Sequence, residues 1–145
     1  MQKNTRINRV FLDTNIIIDI IDTTRKYHHY AKKMIEIIYN NKIEVVISED
    51  MLTTIYYIVT DKINVLKFLD YIVKNWYVYS YSRKLIKKAI KISIKNQVDF
   101  EDVLQCLCAL ENKCEIFITN DKKFYNCGIK IMKSEEFIKI FLNKK

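Results

Sequence analysis

Glycine and proline are almost absent from this chain: its 145 residues include one glycine, Gly128, and no proline. Nucleotide-binding loops need several glycines, because their backbone has to approach phosphate groups closely. The composition therefore excludes a P-loop and a dinucleotide-binding fingerprint. With so few flexible positions, we expect short loops that turn on Asn, Asp and Ser.

Cysteines are few, and long apolar runs are missing. The four cysteines, Cys106, Cys108, Cys114 and Cys127, lie late in the chain without a Cys-x-x-Cys pair, and this spacing argues against a zinc site. We expect reduced thiols in a cytoplasmic protein, because stable disulfides are rare in that compartment. No stretch approaches the ~18 apolar residues that span a bilayer, so we expect no membrane association.

Acidic residues are outnumbered by basic ones. The chain has 25 Lys and Arg against 17 Asp and Glu, which gives a formal net charge of +8. An excess of positive charge attracts polyanions over long distances, so RNA belongs to the class of partner that the charge favours. The length fits a single domain over residues 1–145, long enough to bury one hydrophobic core.

Short apolar stretches alternate with segments of helical periodicity. The apolar stretches predict strands at 10–12, 44–48, 76–81, 115–119 and 129–132, and the periodic segments predict helices at 14–21, 27–39, 51–59, 64–73, 83–95, 100–111 and 134–142. Strands that alternate with helices form a parallel sheet covered on both faces. The tyrosines of the stretch 76–81 either pack on this sheet or stack on bases.

Carboxylates occur at positions where such a sheet brings them together. Asp13 directly follows the first strand, and Asp121 follows the strand that ends at Thr119. Asp102 lies in the first turn of a predicted helix, and Glu101 beside it adds a fourth carboxylate. Ligand sites in open α/β sheets lie beyond the carboxyl ends of the strands, so we expect these side chains to share a site. Taken alone, Asp13 could also be the cap of the helix that follows.

This acidic cluster, defined as Asp13, Glu101, Asp102 and Asp121, predicts a metal site. Clustered carboxylates repel one another unless a cation neutralises them, and oxygen ligands select hard ions such as Mg²⁺ or Mn²⁺. Such a metal assists phosphodiester hydrolysis by activating a water and by stabilising charge on the phosphate and the leaving oxygen. No side chain needs to act as the nucleophile.

Three short motifs contain these residues. They are Val10-Phe11-Leu12-Asp13-Thr14-Asn15, Asp99-Phe100-Glu101-Asp102-Val103-Leu104-Gln105, and Ile118-Thr119-Asn120-Asp121 followed by Lys122, Lys123 and Phe124. In this order they resemble the motifs of PIN-domain ribonucleases, particularly the small bacterial toxins of the VapC type. The resemblance extends over nearly the whole chain and implies a three-layer α/β/α sandwich around a central, mostly parallel sheet.

The resemblance also implies roles for individual residues. Asp13, Asp102 and Asp121 would be ligands of Mg²⁺ or Mn²⁺. Asn15 would orient Asp13, and Thr119 would contact the water held by the metal or the phosphate of the substrate.

One position departs from the pattern of the family. Members usually carry a Glu in the helix after the second strand, and Thr54 stands there in this chain. Asp50 lies one helical turn earlier on the same face and could reach the site as a further metal ligand, whereas Glu49 is less well placed. The alternative is that both acidic residues only favour the start of that helix.

Basic residues form a stripe on the predicted helix at 83–95. Lys84, Lys88, Lys91 and Lys95 recur at helical spacing, and this helix contains no acidic residue. The stripe predicts phosphate contacts to RNA. An ordinary solvated helix face and a docking surface for an acidic partner are the alternatives.

We therefore expect a divalent-metal-dependent endoribonuclease. The resemblance implies that it is the toxin of a toxin–antitoxin pair, in which a small antitoxin blocks or distorts the acidic pocket. The sequence leaves open whether the protein forms a homodimer. The alternative, prompted by Thr54, is a nuclease-like module that binds RNA or protein without turnover. A phosphatase of the haloacid dehalogenase type is disfavoured, because it needs a second Asp where Asn15 stands.

Overall fold

Five short stretches rich in β-branched and aromatic residues form one sheet in the computed structural model, which describes residues 6–143. The strands are β1 Arg9–Leu12, β2 Glu44–Ser48, β3 Tyr77–Tyr79, β4 Ile116–Ile118 and β5 Lys130–Met132. Their order across the sheet is β3-β2-β1-β4-β5, and every neighbouring pair is parallel. The first strand therefore lies at the centre, with β2 and β4 beside it.

Helices connect the strands and cover the sheet. They are α1 Thr14–Ile21, α2 His28–Asn40, α3 Asp50–Ile58, α4 Lys62–Asn75, α5 Arg83–Asn96, α6 Phe100–Glu111 and α7 Ser134–Leu142. Helix α2 packs against α1 and α7, α3 packs against α4, and α5 packs against α6. Within residues 6–143, none of these helices combines the length and the apolar character needed to cross a membrane.

Burial of the central strand on both faces sets the core. Val10, Phe11 and Leu12 are completely buried, which is the pattern expected of a parallel strand covered by helices on either side. Phe11 lies opposite Phe117 in the register of β1 and β4, and the two rings stack with centroids 4.9 Å apart. The same pairing holds the carboxyl ends of both strands at one edge of the sheet.

The near absence of glycine is visible where helices begin and end. Asp and Ser side chains accept hydrogen bonds from backbone N–H groups at the starts of four helices: Asp13 for α1, Asp61 for α4, Ser82 for α5 and Asp99 for α6. Such caps satisfy N–H groups that a helix cannot pair internally. The expected use of Asp and Ser at these boundaries agrees with the structure.

Left-handed positions after three helices are occupied by residues other than glycine. Lys42, Gln97 and Lys113 have φ angles of 55°, 53° and 58°, a conformation that costs about 1–2 kcal/mol per residue. The preceding Asn41 and Asn112 each donate a side-chain hydrogen bond of 2.8 Å to the carbonyl four residues earlier. These bonds help to offset the strain and stop α2 and α6 at defined points.

The predicted order of strands and helices is confirmed, and the third strand shows the largest difference. Strand β3 covers only Tyr77–Tyr79 instead of 76–81, because it is an edge strand paired on one side with β2. Trp76 is buried at the end of α4. Tyr81 leaves the sheet, and its hydroxyl donates to Ser48 Oγ over 2.9 Å. Packing on the protein is thus the observed use of Tyr81.

The expectation that all cysteines are reduced is wrong for one pair. Cys106 on α6 and Cys127 after β4 form a disulfide with a Cα–Cα distance of 6.0 Å. Cys108 and Cys114 are free and buried. The pairing could not be seen in the sequence because the segment after β4 has to fold back onto α6 before the two sulfur atoms meet.

We predict that Phe117→Ala lowers the free energy of unfolding by about 3–5 kcal/mol, the usual cost of emptying a buried aromatic site. The ring is fully buried between Phe11 and Phe124. Urea denaturation followed by circular dichroism measures the change. Ile94→Ala, at a side chain that is 74% exposed, is the control and should change the stability by less than about 0.5 kcal/mol. Equal effects of the two substitutions would contradict this description of the core.

Candidate active site at the carboxyl edge of the sheet

Asp13 is held where the two central strands end. Its backbone N–H donates to the carbonyl of Ile118 over 3.0 Å, which extends the pairing of β1 with β4 by one residue. One carboxylate oxygen accepts from the N–H of Thr14 at 2.7 Å, and the other accepts from the hydroxyl of Thr119 at 2.7 Å. Asp13 therefore caps α1 and also lies at the expected edge of the sheet, so the two interpretations of this residue do not compete.

Thr119 links Asp13 to Asp121. The Thr119 side chain is buried, and its hydroxyl oxygen accepts from the N–H of Asp121 at 3.0 Å while its proton goes to Asp13. One oxygen of the exposed Asp121 side chain accepts from the N–H of Lys123 at 2.9 Å. A hydroxyl in this place thus fixes the separation between two carboxylates that belong to the acidic cluster.

The first turn of α6 contributes the other two carboxylates. Asp99 caps the helix by accepting from the N–H of Asp102 at 3.0 Å. Glu101 accepts from the side-chain amide of Gln105 at 3.1 Å. Gln105 is buried, and its amide oxygen has no hydrogen-bond partner within residues 6–143. An unpaired buried oxygen beside carboxylates adds to the excess of acceptors at this edge.

The pKa values show that these carboxylates lie in one another's electric field. Burial raises the pKa of Asp102 from 3.8 to about 6, and the charges of Asp99, Asp121 and Asp13 add to the shift. Burial also raises the pKa of Asp13, against the hydrogen bonds from Thr119 and Thr14 that lower it. The pKa of Glu101 is raised by burial first and then by Asp50, Asp99 and Asp13.

Among residues 6–143, no Lys or Arg side chain forms an ion pair with the acidic cluster. Neighbouring carboxylates that lack a cationic partner form a set of oxygen donors suited to a hard cation. The residues present therefore fit a divalent metal ion in chemical type.

Among the described residues, the carboxylates of the acidic cluster are not arranged as a complete metal site. Between residues 6 and 143, no three His, Cys, Asp or Glu side chains are grouped closely enough to hold a metal ion. Two physical reasons account for this arrangement. Like charges separate when nothing neutralises them, and oxygens of Asp13 and Asp121 are engaged by Thr119 and Lys123. A cation shared by these carboxylates would require them to move closer together.

Asp50 lies close enough to α6 for its charge to act on Glu101. It is the first residue of α3, and its charge is the largest electrostatic contribution to the raised pKa of Glu101. The neighbouring Glu49 is engaged elsewhere, since its carboxylate accepts from the hydroxyl of Ser80. The hydroxyl of Thr54 donates back to the carbonyl of Asp50 over 3.3 Å. Thr54 therefore offers no charge to the site, whereas the charge of Asp50 acts on Glu101.

The contact predicted between Asn15 and Asp13 is not formed. Asn15 is exposed, and its side-chain oxygen accepts from the guanidinium of Arg25 at 3.3 Å. Arg25 is itself anchored on the buried carboxylate of Asp19 at 2.7 Å. The hydroxyl of Thr119 orients Asp13 instead, because it reaches across from the neighbouring strand. Orientation of Asp13 by Asn15 stays a prediction.

Several residues at this edge were not singled out from the sequence. Asp19 lies four residues after Asn15 on α1, and Gln105 lies four residues after Glu101 on α6. The spacing of four places each pair on one helical face and could have indicated them. Arg25 carries no such signal, because it lies in the connection between α1 and α2.

The lysine stripe lies on the outside of α5. Lys84, Lys88, Lys91 and Lys95 are exposed along one side of the helix. Lys84 and Lys88 line, together with residues of α6, a groove of about 320 Å³. Because α6 begins only four residues after α5 ends, the Lys95 end of the stripe lies nearer the first turn of α6. The structure thus places the lysines beside the helix that carries Asp102, on a separate surface from the carboxylates.

The chain belongs to the PIN domain family: the family model of the PIN domain matches residues 9–123. It is 35% identical over 133 residues to Ribonuclease VapC1 of Aquifex aeolicus (strain VF5), an alignment that covers 89% of this chain and 92% of that protein. The VapC-type resemblance of the sequence motifs is thereby confirmed.

Solved structures support the same fold. The chain is similar to VapC20 of Mycobacterium tuberculosis, a sarcin-ricin loop cleaving toxin, with a TM-score of 0.67, 14% identity and coverage of 83% of this chain and 95% of that one. It is also similar to a toxin–antitoxin complex from Klebsiella pneumoniae, with a TM-score of 0.66, 16% identity and coverage of 86% and 97%. At such identities the likeness establishes the α/β/α architecture.

We predict that Asp102→Asn makes the metal-free protein more stable near neutral pH. Because the pKa of Asp102 in the folded state is raised from 3.8 to about 6, protonation of this carboxyl stabilises the fold at low pH, and that contribution is lost as the pH rises through about 6. The neutral side chain of the Asp102→Asn variant keeps this contribution to stability as the pH rises. The difference should be on the order of 1 kcal/mol, since the side chain is partly exposed and screened. Urea titrations in a chelating buffer measure it. A difference that stays the same below about pH 4 would contradict the raised pKa.

Proposed function

We propose that this protein is a divalent-metal-dependent endoribonuclease that hydrolyses RNA phosphodiester bonds with Mg²⁺ or Mn²⁺. The observation that carries the proposal is the uncompensated acidic cluster at the carboxyl edge of β1 and β4, in which Asp13 and Asp102 have raised pKa values. Membership of the PIN domain family and 35% identity to a ribonuclease support the same reaction.

Asp13, Asp102 and Asp121 are the proposed metal ligands, with Glu101 and Asp50 as neighbouring carboxylates. When bound, the cation supplies stabilisation of charge on the scissile phosphate and makes hydroxide available at neutral pH. The roles of the chain's own residues follow from their contacts. Asp13 is oriented through both of its oxygens, and Asp102, with a pKa of about 6, is mostly ionised at neutral pH and ready to bind a cation.

Thr119 is a positioning residue in this proposal. Its hydroxyl donates to Asp13 and accepts from the backbone of Asp121, so it holds two proposed ligands from one buried point. Because its only hydroxyl proton is used by Asp13, a contact from Thr119 to the substrate would have to be made by its oxygen or after a rotation. Orientation of Asp13 is therefore the better supported role.

RNA binding by the lysine stripe follows from charge and position. Lys84, Lys88, Lys91 and Lys95 are exposed on α5 without an acidic residue on that helix. Contacts between lysines and phosphates supply affinity without sequence preference and weaken with salt. RNA held along α5 would bring neighbouring phosphates toward the first turn of α6. The carboxylates themselves repel RNA, so the lysines and the metal have to provide the attraction.

An antitoxin is the proposed protein partner, and the cytoplasm is the proposed site of action. The similarity to a toxin–antitoxin complex from Klebsiella pneumoniae supports such a pairing through the shared fold. A partner that covers the carboxyl edge of the sheet would prevent metal and RNA from meeting. A homodimer is compatible with this proposal and is not required by it.

We predict that Asp13→Asn lowers the rate of metal-dependent RNA cleavage by about 100-fold or more, because the amide removes the charge of the most tightly positioned ligand. Asparagine keeps one oxygen, which can accept from the N–H of Thr14, and its NH2 group can donate to the hydroxyl oxygen of Thr119, so the fold should survive. Cleavage of total RNA with Mn²⁺ or Mg²⁺, followed on denaturing gels, measures the rate. Asp70→Asn is the matched control, since Asp70 is exposed on α4 and pairs only with Lys74. Equal activity of Asp13→Asn and the wild type would reject the assignment.

A second candidate function is favoured by Thr54. Its hydroxyl is bonded to the backbone of its own helix, so the site lacks one carboxylate that family members usually carry. A PIN-like module with weak metal binding and no turnover would bind RNA or a protein partner without cleaving it. The two functions differ in whether the missing carboxylate at position 54 limits metal binding and cleavage.

We predict that Thr54→Glu strengthens Mn²⁺ binding and, if the missing charge limits turnover, raises the rate of cleavage. Thr54 is half-buried on α3, one turn after Asp50, while its neighbour Thr53 is exposed on a different side of the helix. Thr53→Glu is therefore the matched control for charge alone. Titration by electron paramagnetic resonance measures Mn²⁺ affinity. No gain in affinity or activity with Thr54→Glu would mean that the missing charge does not explain weak function.

A further inference from the structure

We propose that the Cys106–Cys127 disulfide is a redox-dependent positioning element that holds the segment carrying Asp121 against the helix carrying Asp102. The inference rests on the proposed function, because it concerns the geometry of the same acidic cluster. It adds a regulatory property that neither the family membership nor the chemistry of the carboxylates requires.

The disulfide joins the two chain segments that supply Asp102 and Asp121. Cys106 lies four residues after Asp102 on α6, one turn along the same helical face. Cys127 lies in the connection between β4 and β5, which also contains Asp121. The bond therefore closes a link between α6 and that connection within one helical turn of a proposed ligand.

A backbone contact lies next to the disulfide and ends on a proposed ligand. The backbone of Tyr125 lies close enough to Asp102 to lower the pKa of its carboxyl group by hydrogen bonding. Two residues later, the N–H of Cys127 donates to the sulfur of Cys106 over 3.1 Å. The covalent bond thus fixes the stretch of backbone that supports Asp102. Breaking the disulfide would remove a restraint two residues from Tyr125.

Other contacts of the segment attach it to different parts of the fold. The ring of Phe124 packs on Phe117 with centroids 4.3 Å apart, and the side-chain oxygen of Asn120 accepts from the N–H of Ser134 at 3.2 Å. Neither contact involves α6. After reduction the segment should stay attached to β4 and α7 while its position relative to Asp102 loosens. The expected response is weaker metal binding rather than unfolding.

The backbone next to Cys127 turns at the following residue, Gly128. Gly128 has a φ of +113°, a conformation that residues with a side chain rarely adopt. It is the single glycine of the chain, and it follows Cys127 directly. The turn that brings Cys127 to α6 before β5 begins therefore uses the one residue that can make it without strain.

Exposure makes the disulfide accessible at one sulfur. Cys106 is completely buried, whereas Cys127 is only partly buried. A dithiol reductant would attack the Cys127 sulfur, break the S–S bond and release Cys106 as a thiol, and the second thiol of the reductant would then displace Cys127. The reductant leaves as a disulfide, and its two electrons and two protons end on the two cysteines. A disulfide oxidant reverses the reaction.

The other two cysteines do not take part in the proposed redox change. Cys108 and Cys114 are buried, and burial raises the pKa of both thiols. Thiols with raised pKa and little exposure are poor nucleophiles. They should not exchange with the disulfide during reduction.

The test compares oxidised wild-type protein, the same protein reduced with dithiothreitol, and the variants Cys127→Ser and Cys106→Ala/Cys127→Ser. Mn²⁺ affinity and hydrogen exchange of the Tyr125 amide are measured for each. Reduction should weaken Mn²⁺ binding about tenfold, as loss of a residue that orients a metal ligand does, and should speed exchange at Tyr125. The variants should resemble reduced wild type and ignore the reductant. Cys108→Ala is the matched control on the same helix and should respond as the wild type does.

Three results separate the alternatives. Unchanged Mn²⁺ affinity on reduction, with faster exchange at Tyr125, would overturn the positioning role and leave a structural bond. Unchanged exchange at Tyr125 would overturn the link itself. If Asp13→Asn cleaves RNA as well as the wild type, the nuclease proposal fails instead, and the exchange measurement still reports on the disulfide. A failure of the double variant to fold leaves the reduced wild type and Cys127→Ser to decide.

Discussion

The hydrogen bond from Thr119 to Asp13 is the interaction on which the arrangement of the site depends. It joins the residues that directly follow β1 and β4, and it depends on the parallel register of these strands, in which Phe11 pairs with Phe117 two residues earlier. The packing of two buried aromatic rings thus sets the position of a charged group. Sheet pairing and core burial provide the free energy that keeps carboxylates close despite their repulsion.

Much of the fold followed from the sequence because local and tertiary preferences agree. The central strand is buried on both faces, so its apolar run has no competing interpretation, and capping residues such as Asp99 mark the starts of helices. Strand β3 was predicted too long, since an alternating aromatic pattern continues past the last hydrogen bond of an edge strand. Its length depends on pairing with β2, which the alternation of side chains does not encode.

The sequence predicted which strands and helices carry the candidate site residues, but it did not predict which atoms these residues contact. The ends of β1 and β4 and the start of α6 placed Asp13, Asp121 and Asp102 near one another in advance. The partner of each oxygen depends on side-chain directions across different strands, and for this reason the bond from Thr119 to Asp13 was not predicted. The disulfide was missed for the same reason, because it requires the path of the connection after β4.

Charge balance relates the departure at Thr54 to the rest of the site. Each further carboxylate strengthens attraction for a cation but raises the cost of the empty pocket, since buried like charges destabilise one another. In this chain Asp50 already acts on Glu101 more strongly than any other charge does. A Glu at position 54 would add repulsion on the same helical face as Asp50. Loss of that charge is therefore compatible with the proposed metal site, because Asp50 already acts on Glu101 from the same helix as Thr54. The net charge of +8 favours a polyanionic partner.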